Sequence, residues 1–196
     1  IMVIAAHPDD EVLGCGGIIA RHVNNGDEVN ILILSEGITS IDDKRNTTER
    51  KEDILELRSS SSKAHKILGS NSLELLDFPD NRMDSVDLIE IIKSIEKVVV
   101  KKQPEIIYTH HYGDLNIDHR ITNQAVFTAC RPLPNASVKQ IYCFEIPSST
   151  EWQVPKSDTV FSPNTFIDIS STLEKKLLAL NAYDSEMNDW PHSRSL

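Results

Sequence analysis

Short apolar runs alternate with longer amphipathic stretches along the whole chain, and that alternation restricts it to a mostly parallel sheet covered by helices. Ile1–Ala5, Val29–Leu34, Leu73–Phe78, Glu105–Thr109 and Gln140–Glu145 read as strands, with Asn164–Ile169 as a sixth. Between them Glu11–Asn25, Thr47–Leu68, Val86–Val100 and Asp118–Ala129 read as helices, and Leu173–Tyr183 as a last one. Gly26 and Gly69 close the first two, as glycines just past a helix end do. The third is the most amphipathic, with Leu88, Ile91, Ile92, Ile95, Val98 and Val99 on one side. Ser59–Ser62 weakens the second, because serine is a mediocre helix former, yet apolar spacing resumes at Ala64, Ile67 and Leu68. The expected architecture is an α/β, Rossmann-like, doubly wound sheet forming a single domain over residues 1–196. Sheets of this kind bind ligands at the carboxyl ends of their strands.

Charge narrows the partners. With 30 acidic and 20 basic side chains the formal charge is -10. A surface so acidic repels phosphate backbones and anionic lipid, so neither nucleic acid nor a membrane surface is an expected partner. A local cluster of Arg and Lys could still receive a small anion. No apolar run approaches the roughly 20 residues that cross a bilayer, so no transmembrane segment is expected. Ile1–Ala6 reads as a buried strand rather than a signal sequence, since it lacks a basic leader. The absence of an initial Met points to residues ahead of Ile1. Cys15, Cys130 and Cys143 contain no CxxC pair, a pattern that suits reduced thiols in the cytoplasm.

The densest chemistry is His7-Pro8-Asp9-Asp10-Glu11, directly after the first strand. Zinc accepts His nitrogen and Asp oxygen, and a catalytic zinc takes three protein ligands with one place left for water. His7 and Asp10 are three apart, so a tight turn brings both onto one ion, leaving Asp9 free to take a proton. A lone HxxD also fits a helix-capping carboxylate beside a core histidine. A second cluster tips the balance. Thr109-His110-His111-Tyr112-Gly113-Asp114-Leu115-Asn116-Ile117-Asp118-His119 follows the fourth strand, which in the doubly wound order lies beside the first. His119, in the first turn of the next helix, is the natural third ligand. Asp118 is expected to orient a ring or a catalytic residue from behind the metal. His110 and His111 are ambiguous, facing either the site or a hydrogen bond elsewhere. Gly14, Gly16 and Gly17 lack the GxGxxG spacing of a dinucleotide loop, so close helix packing is their expected reason.

The string AAHPDDEVLGCGG followed by a late DH cluster resembles the PIG-L/LmbE family of zinc-dependent N-deacetylases. The similarity runs on through PDNRMD at 79–84 and PHSRS near the end. It implies zinc on His7, Asp10 and His119, with Asp9 as general base and then as acid to the leaving amine. It also implies that Asp80 binds sugar hydroxyls, with Arg82 a further residue of that pocket. Many members carry His three residues before the last ligand, where it is assigned to the oxyanion. This chain has Asn116 there, which passes the task to zinc, to Asn116 itself as a substrate contact, to His110 or His111, or to His192. His192 is the only imidazole of the C-terminal stretch, and it either folds over the cleft as a catalytic donor or is a surface residue. Members often form trimers or hexamers, so a homo-oligomer is expected, and they usually continue past such a segment, so a further tail is expected too.

The expected reaction is removal of the acetyl group from an N-acetylated sugar or sugar conjugate, of N-acetylglucosamine type, giving acetate and a free amine. Hydrolysis of a different amide, in a thiol conjugate or glycopeptide, is the alternative within enzymes. A non-catalytic carbohydrate- or nucleotide-binding domain is the alternative outside them. The intact set His7, Asp9, Asp10 and His119 argues against that last reading.

Overall fold

A computed structural model of the chain describes residues 1–195. Five strands, β1 (Met2–Ala5), β2 (Asn30–Ser35), β3 (Ser72–Phe78), β4 (Ile106–His110) and β5 (Gln140–Phe144), form one sheet in the order β3-β2-β1-β4-β5. Every neighbouring pair is parallel. The chain winds outward from β1 to β3, then returns to the other side of β1 through β4. The gap between β1 and β4 is therefore the topological switch point, where the loops leaving the two strands part and open a crevice.

Successive residues of β1 serve opposite layers, because strand side chains alternate in direction. Val3 joins Ile31 and Ile33 in a core shared with α1 (Asp10–Asn24), α2 (Lys51–Leu68) and α5 (Leu173–Leu180). Met2 and Ile4 join Leu32 and Leu34 in a core shared with α3 (Leu88–Lys102) and α4 (Ile117–Ala129). β1 and β2 are consumed on both faces, which is why they read as nearly unbroken apolar runs, whereas the edge strands β3 and β5 are only half-buried.

The serine stretch does not break α2. Ser61 and Ser62 donate their hydroxyls to the carbonyls of Leu57 and Arg58, both at 3.0 Å, so the side chains are satisfied inside the helix. The helix starts at Lys51 rather than Thr47, since residues 47–50 form a turn. The expected sixth strand over Asn164–Ile169 is absent among the described residues. That segment has no ladder partner and crosses α1 instead, where Arg21 donates to the Asp168 carbonyl at 2.6 Å. The last helix ends at Leu180, and a 3₁₀ segment, Asn181–Glu186, continues through the expected end at Tyr183.

Gly17 of α1 meets the crossing segment, and an added Cβ there stands 2.6–2.8 Å from carbons of Ile169. Gly14 faces the ring of Phe144 on β5 at similar range, so these glycines serve close packing. The Ile169 Cβ is fixed to the backbone and cannot swing aside. Gly17→Val is therefore expected to lower the unfolding free energy by about 1–3 kcal/mol, read as a fall in the urea midpoint with unchanged slope.

Candidate metal centre and catalytic cavity

The carboxyl ends of β1 and β4 deliver the two polar clusters to one place. His7 and Asp10 bracket the turn between β1 and α1, and His119 sits in the first turn of α4. Asp10 Oδ2 lies 3.2 Å from His7 Nδ1 and 3.2 Å from His119 Nε2, and the two imidazole nitrogens are 3.3 Å apart. With both rings neutral and turning lone pairs inward, three acceptor atoms so close repel one another unless something positive lies between them. The edge of a tetrahedron with bonds of about 2.0–2.1 Å, the zinc–nitrogen and zinc–oxygen range, is about 3.3–3.4 Å. The triangle observed is that face. Asp10 Oδ1, buried with no hydrogen-bond donor, leaves further coordinating capacity on the same carboxylate. The side chains present fit a small divalent cation.

Each imidazole is oriented from behind by a buried carboxylate. Asp118 Oδ2 lies 3.1 Å from His7 Nε2, while its other oxygen accepts the Met83 amide at 3.0 Å. Asp114 Oδ1 lies 3.1 Å from His119 Nδ1, and the hydroxyls of Ser149 and Thr150 donate to the same carboxylate. Such contacts fix which ring nitrogen faces a metal and raise its basicity. Burial pushes Asp114 up, but His119 and the two hydroxyls outweigh it and hold the group at about 2. Asp118 is the carboxylate expected behind a ring, whereas Asp114, in the same string five residues before His119, carries no local signal for such a position. His110 stacks on His119 with centroids 3.9 Å apart, and its Nε2 accepts the Ala6 amide at 2.8 Å. Burial, followed by the neighbouring His119, pushes its pKa well below the usual value, so it is a neutral structural ring. His111 turns away to the Thr159 carbonyl at 2.9 Å.

A cavity of about 210 Å³ opens over the triangle, and His7, Asp9, Asp10, Asp80, Asn116 and His119 all line it. Asp9 is buried, and burial first, then the charge of Asp10, pushes its pKa well above the ordinary carboxylate range. Asp80 accepts the Ser40 amide at 2.9 Å and approaches His7 Nε2 at 3.4 Å. Asn116 caps α4 by accepting the Asp118 amide at 2.8 Å and donates to Asn81 at 2.7 Å.

Two residues named from the sequence do not line the cavity. Arg82 donates to the carbonyls of Asp42 and Asp43 at 2.6 and 3.3 Å, pinning the loop that carries Ser40 and Ile41. His192 packs edge-on against Trp152, and its Nδ1 accepts the Arg194 amide at 3.1 Å. The C-terminal stretch does reach the cavity, but through Arg194, whose guanidinium donates to Asp9 Oδ2 at 2.8 Å and to Ser148 Oγ at 2.7 Å. No pattern in the sequence distinguishes Arg194 from His192, since the choice depends on how the last residues cross the cleft.

Backbone strain is concentrated here. Six non-glycine residues have positive φ, and four of them, Asp9, Ile38, Asn81 and Ser148, line this cavity. Asn tolerates that region, but Asp9 at 107° and the β-branched Ile38 at 66° are outliers costing about 1–3 kcal/mol each. Strain gathered at one cavity, with buried carboxylates, marks a site built for chemistry.

The profile of the PIG-L family, described as GlcNAc-PI de-N-acetylase, matches residues 2–130. The chain belongs to the PIG-L family. YaiS of Escherichia coli K12, named as an uncharacterized deacetylase, is 33% identical over 153 residues, covering 76% of this chain and 75% of that protein. A probable N-acetyl-alpha-D-glucosaminyl L-malate deacetylase 2 of Bacillus cereus is 26% identical, with 95% and 83% covered. A further relative, 28% identical over 97% of this chain and 75% of its own length, is a 4-oxalmesaconate hydratase of Pseudomonas putida. The solved N,N'-diacetylchitobiose deacetylase of Pyrococcus horikoshii superposes with a TM-score of 0.74 at 22% identity, over 96% of this chain and 70% of that one. At that identity the likeness establishes the fold.

Asp114→Asn removes charge from the group behind His119 while keeping its shape. Metal affinity is expected to fall about 10–100-fold, read by competition with a chromogenic chelator.

Proposed function

We propose that this chain hydrolyses the acetamide of an N-acetylated sugar or sugar conjugate with the help of zinc, giving acetate and a free sugar amine. The convergence of His7 Nδ1, Asp10 Oδ2 and His119 Nε2 beside Asp9 carries the reading. Two imidazole nitrogens and one carboxylate oxygen suit zinc, with a fourth position left open. Zinc held there supplies Lewis acidity to the acetamide carbonyl and makes water a stronger acid.

Asp9 acts as the general base. Its raised proton affinity brings it closer to neutrality than an exposed carboxylate, which is where proton transfer is most effective. It takes the proton of the attacking water as the carbonyl carbon becomes tetrahedral. It returns that proton to nitrogen as the C–N bond breaks. Arg194 holds Asp9 Oδ2, which leaves Oδ1 for the proton. Asp80 is the acceptor for sugar hydroxyls. Asn116 and Arg194, both on the cavity wall, are the donors assigned to the oxyanion in place of His192. The homo-oligomer and the cytoplasmic setting belong to the same reading, the latter supported by three unpaired cysteines. Among the described residues no helix is long and apolar enough to cross a membrane.

The hydratase relative supplies the competing chemistry, in which water adds and nothing leaves. Release of acetate over a panel of N-acetyl sugars, sugar–thiol conjugates and glycopeptides separates the two. Acetate should appear with free N-acetyl sugars or their conjugates and disappear on chelation. Absence of acetate from every N-acetylated compound overturns the proposal. Asp9→Asn, which tolerates the positive φ, should keep the metal and lose about 10²–10⁴-fold in kcat. Asp10→Ala should lose metal as well as rate, measured by elemental analysis of the purified variants. Asp80→Ala should raise KM on the same substrate with metal content unchanged, the loss of a charge-assisted hydrogen bond of about 1.5–3 kcal/mol.

A further inference from the structure

Asp9 does not hold its conformation by itself. At φ 107° it sits where residues other than glycine are rarely found, and such backbone persists only when neighbours over-determine it. Its amide points away from the cavity and donates to Glu11 Oε2 at 3.0 Å. Glu11 is wholly buried, so it contacts neither solvent nor the cavity, and it is not among the lining residues. Its other oxygen, Oε1, accepts the hydroxyl of Tyr183 at 2.7 Å. Tyr183 is also wholly buried, and burial followed by the charge of Glu11 pushes its pKa well above the ordinary value, which keeps the hydroxyl protonated as a donor. His65 of α2 stands behind the same oxygen, with Nε2 at 3.4 Å and its Nδ1 on Ser70 Oγ at 2.8 Å.

A buried carboxylate is costly and is kept only where its oxygens are used. A helix-start charge would face solvent at the first turn. Glu11 instead faces inward and spends one oxygen on the strained amide and the other on a tyrosine from the far end of the chain. We propose that Glu11 and Tyr183 are positioning residues that lock the backbone of Asp9 in its positive-φ conformation and so aim its carboxylate into the cavity. Tyr183 lies in the 3₁₀ segment after α5, at a kink with φ −103° and ψ 42° that lets its ring enter the core. The C-terminal stretch thus grips Asp9 twice, through Glu11 at the backbone and through Arg194 at the side chain. Tyr183, which stands behind Glu11, and Arg194 both lie beyond residue 130, outside the part of the chain that matches the family profile.

The inference rests on Asp9 being the base of the proposed reaction, so its test has one arm that needs no substrate. Tyr183→Phe removes a single oxygen and leaves the ring in the core. In the whole chain loaded with zinc it should lower kcat by about tenfold or more, with KM and metal content unchanged, since small misplacements of a catalytic group are costly. Hydrogen exchange at the Asp9 amide, followed by NMR on the same protein, should quicken relative to the parent. Glu11→Gln, which keeps one carbonyl oxygen for that amide, should retain more kcat than Glu11→Ala, and Tyr183→Phe decides alone if Glu11→Ala does not fold. Unchanged kcat, an unchanged Asp9 exchange rate, or a loss of rate matched by loss of metal or unfolding overturns the proposal. If the parent releases no acetate from any N-acetyl sugar, the reading of function falls, while the exchange arm still judges the lock.

Discussion

Parallel pairing of β1 with β4 is the contact on which the site depends. Met2 lies opposite Ile107 and Val3 opposite Tyr108, which sets the ends of the two strands level. From that level the turn into α1 brings His7 and Asp10, and the loop into α4 brings His119. A shift of the register by one residue would move a Cα by about 3.3 Å and turn its side chains to the other face. The triangle of ligand atoms, with edges of 3.2–3.3 Å, leaves no room for such a shift. Apolar packing on both faces of β1 thus fixes the geometry of a polar centre that it never touches.

Concentrating carboxylates at that centre is costly. Asp9, Asp10, Asp80, Asp114 and Asp118 are all buried there, and each buried ion carries a desolvation penalty of several kcal/mol before it is paired. Four of the five are matched to a partner by position. Asp10 faces two imidazoles, Asp114 and Asp118 each back one, and Asp9 takes the guanidinium of Arg194. Asp80 is satisfied by the Ser40 amide and the Asn81 side chain. A divalent cation held at the triangle would offset much of the remaining cost and so couple the folding of the cavity to its loading.

The cavity is assembled from both halves of the chain. Residues before 130 supply the ligand set, and Ser148, Ser149, Glu186 and Arg194 close the wall opposite. Ser149 and Thr150 also tie that wall to Asp114, and through it to His119.

The sequence by itself determined the strands, the helices and the two polar clusters, because those depend on neighbours close along the chain. Apolar runs report burial, glycines past a helix end report its stop, and His7, Asp10 and His119 stand at strand ends where the doubly wound order puts ligands. It also marked Asn116 as a departure worth following. The expected strand at 164–169 fails because a short apolar run reports neither burial nor a ladder partner; here Phe166 and Ile167 are exposed and only Ile169 packs, against Gly17 of α1. Asp114 is not legible in the sequence because nothing local distinguishes a carboxylate that backs a histidine from one that caps a turn. Only the tertiary structure decided that Arg194 and not His192 enters the cavity, and that Glu11 meets Tyr183. Those contacts join residues more than 170 positions apart, and a side chain's reach across such a distance is set by how the last segment crosses the sheet edge rather than by its own sequence.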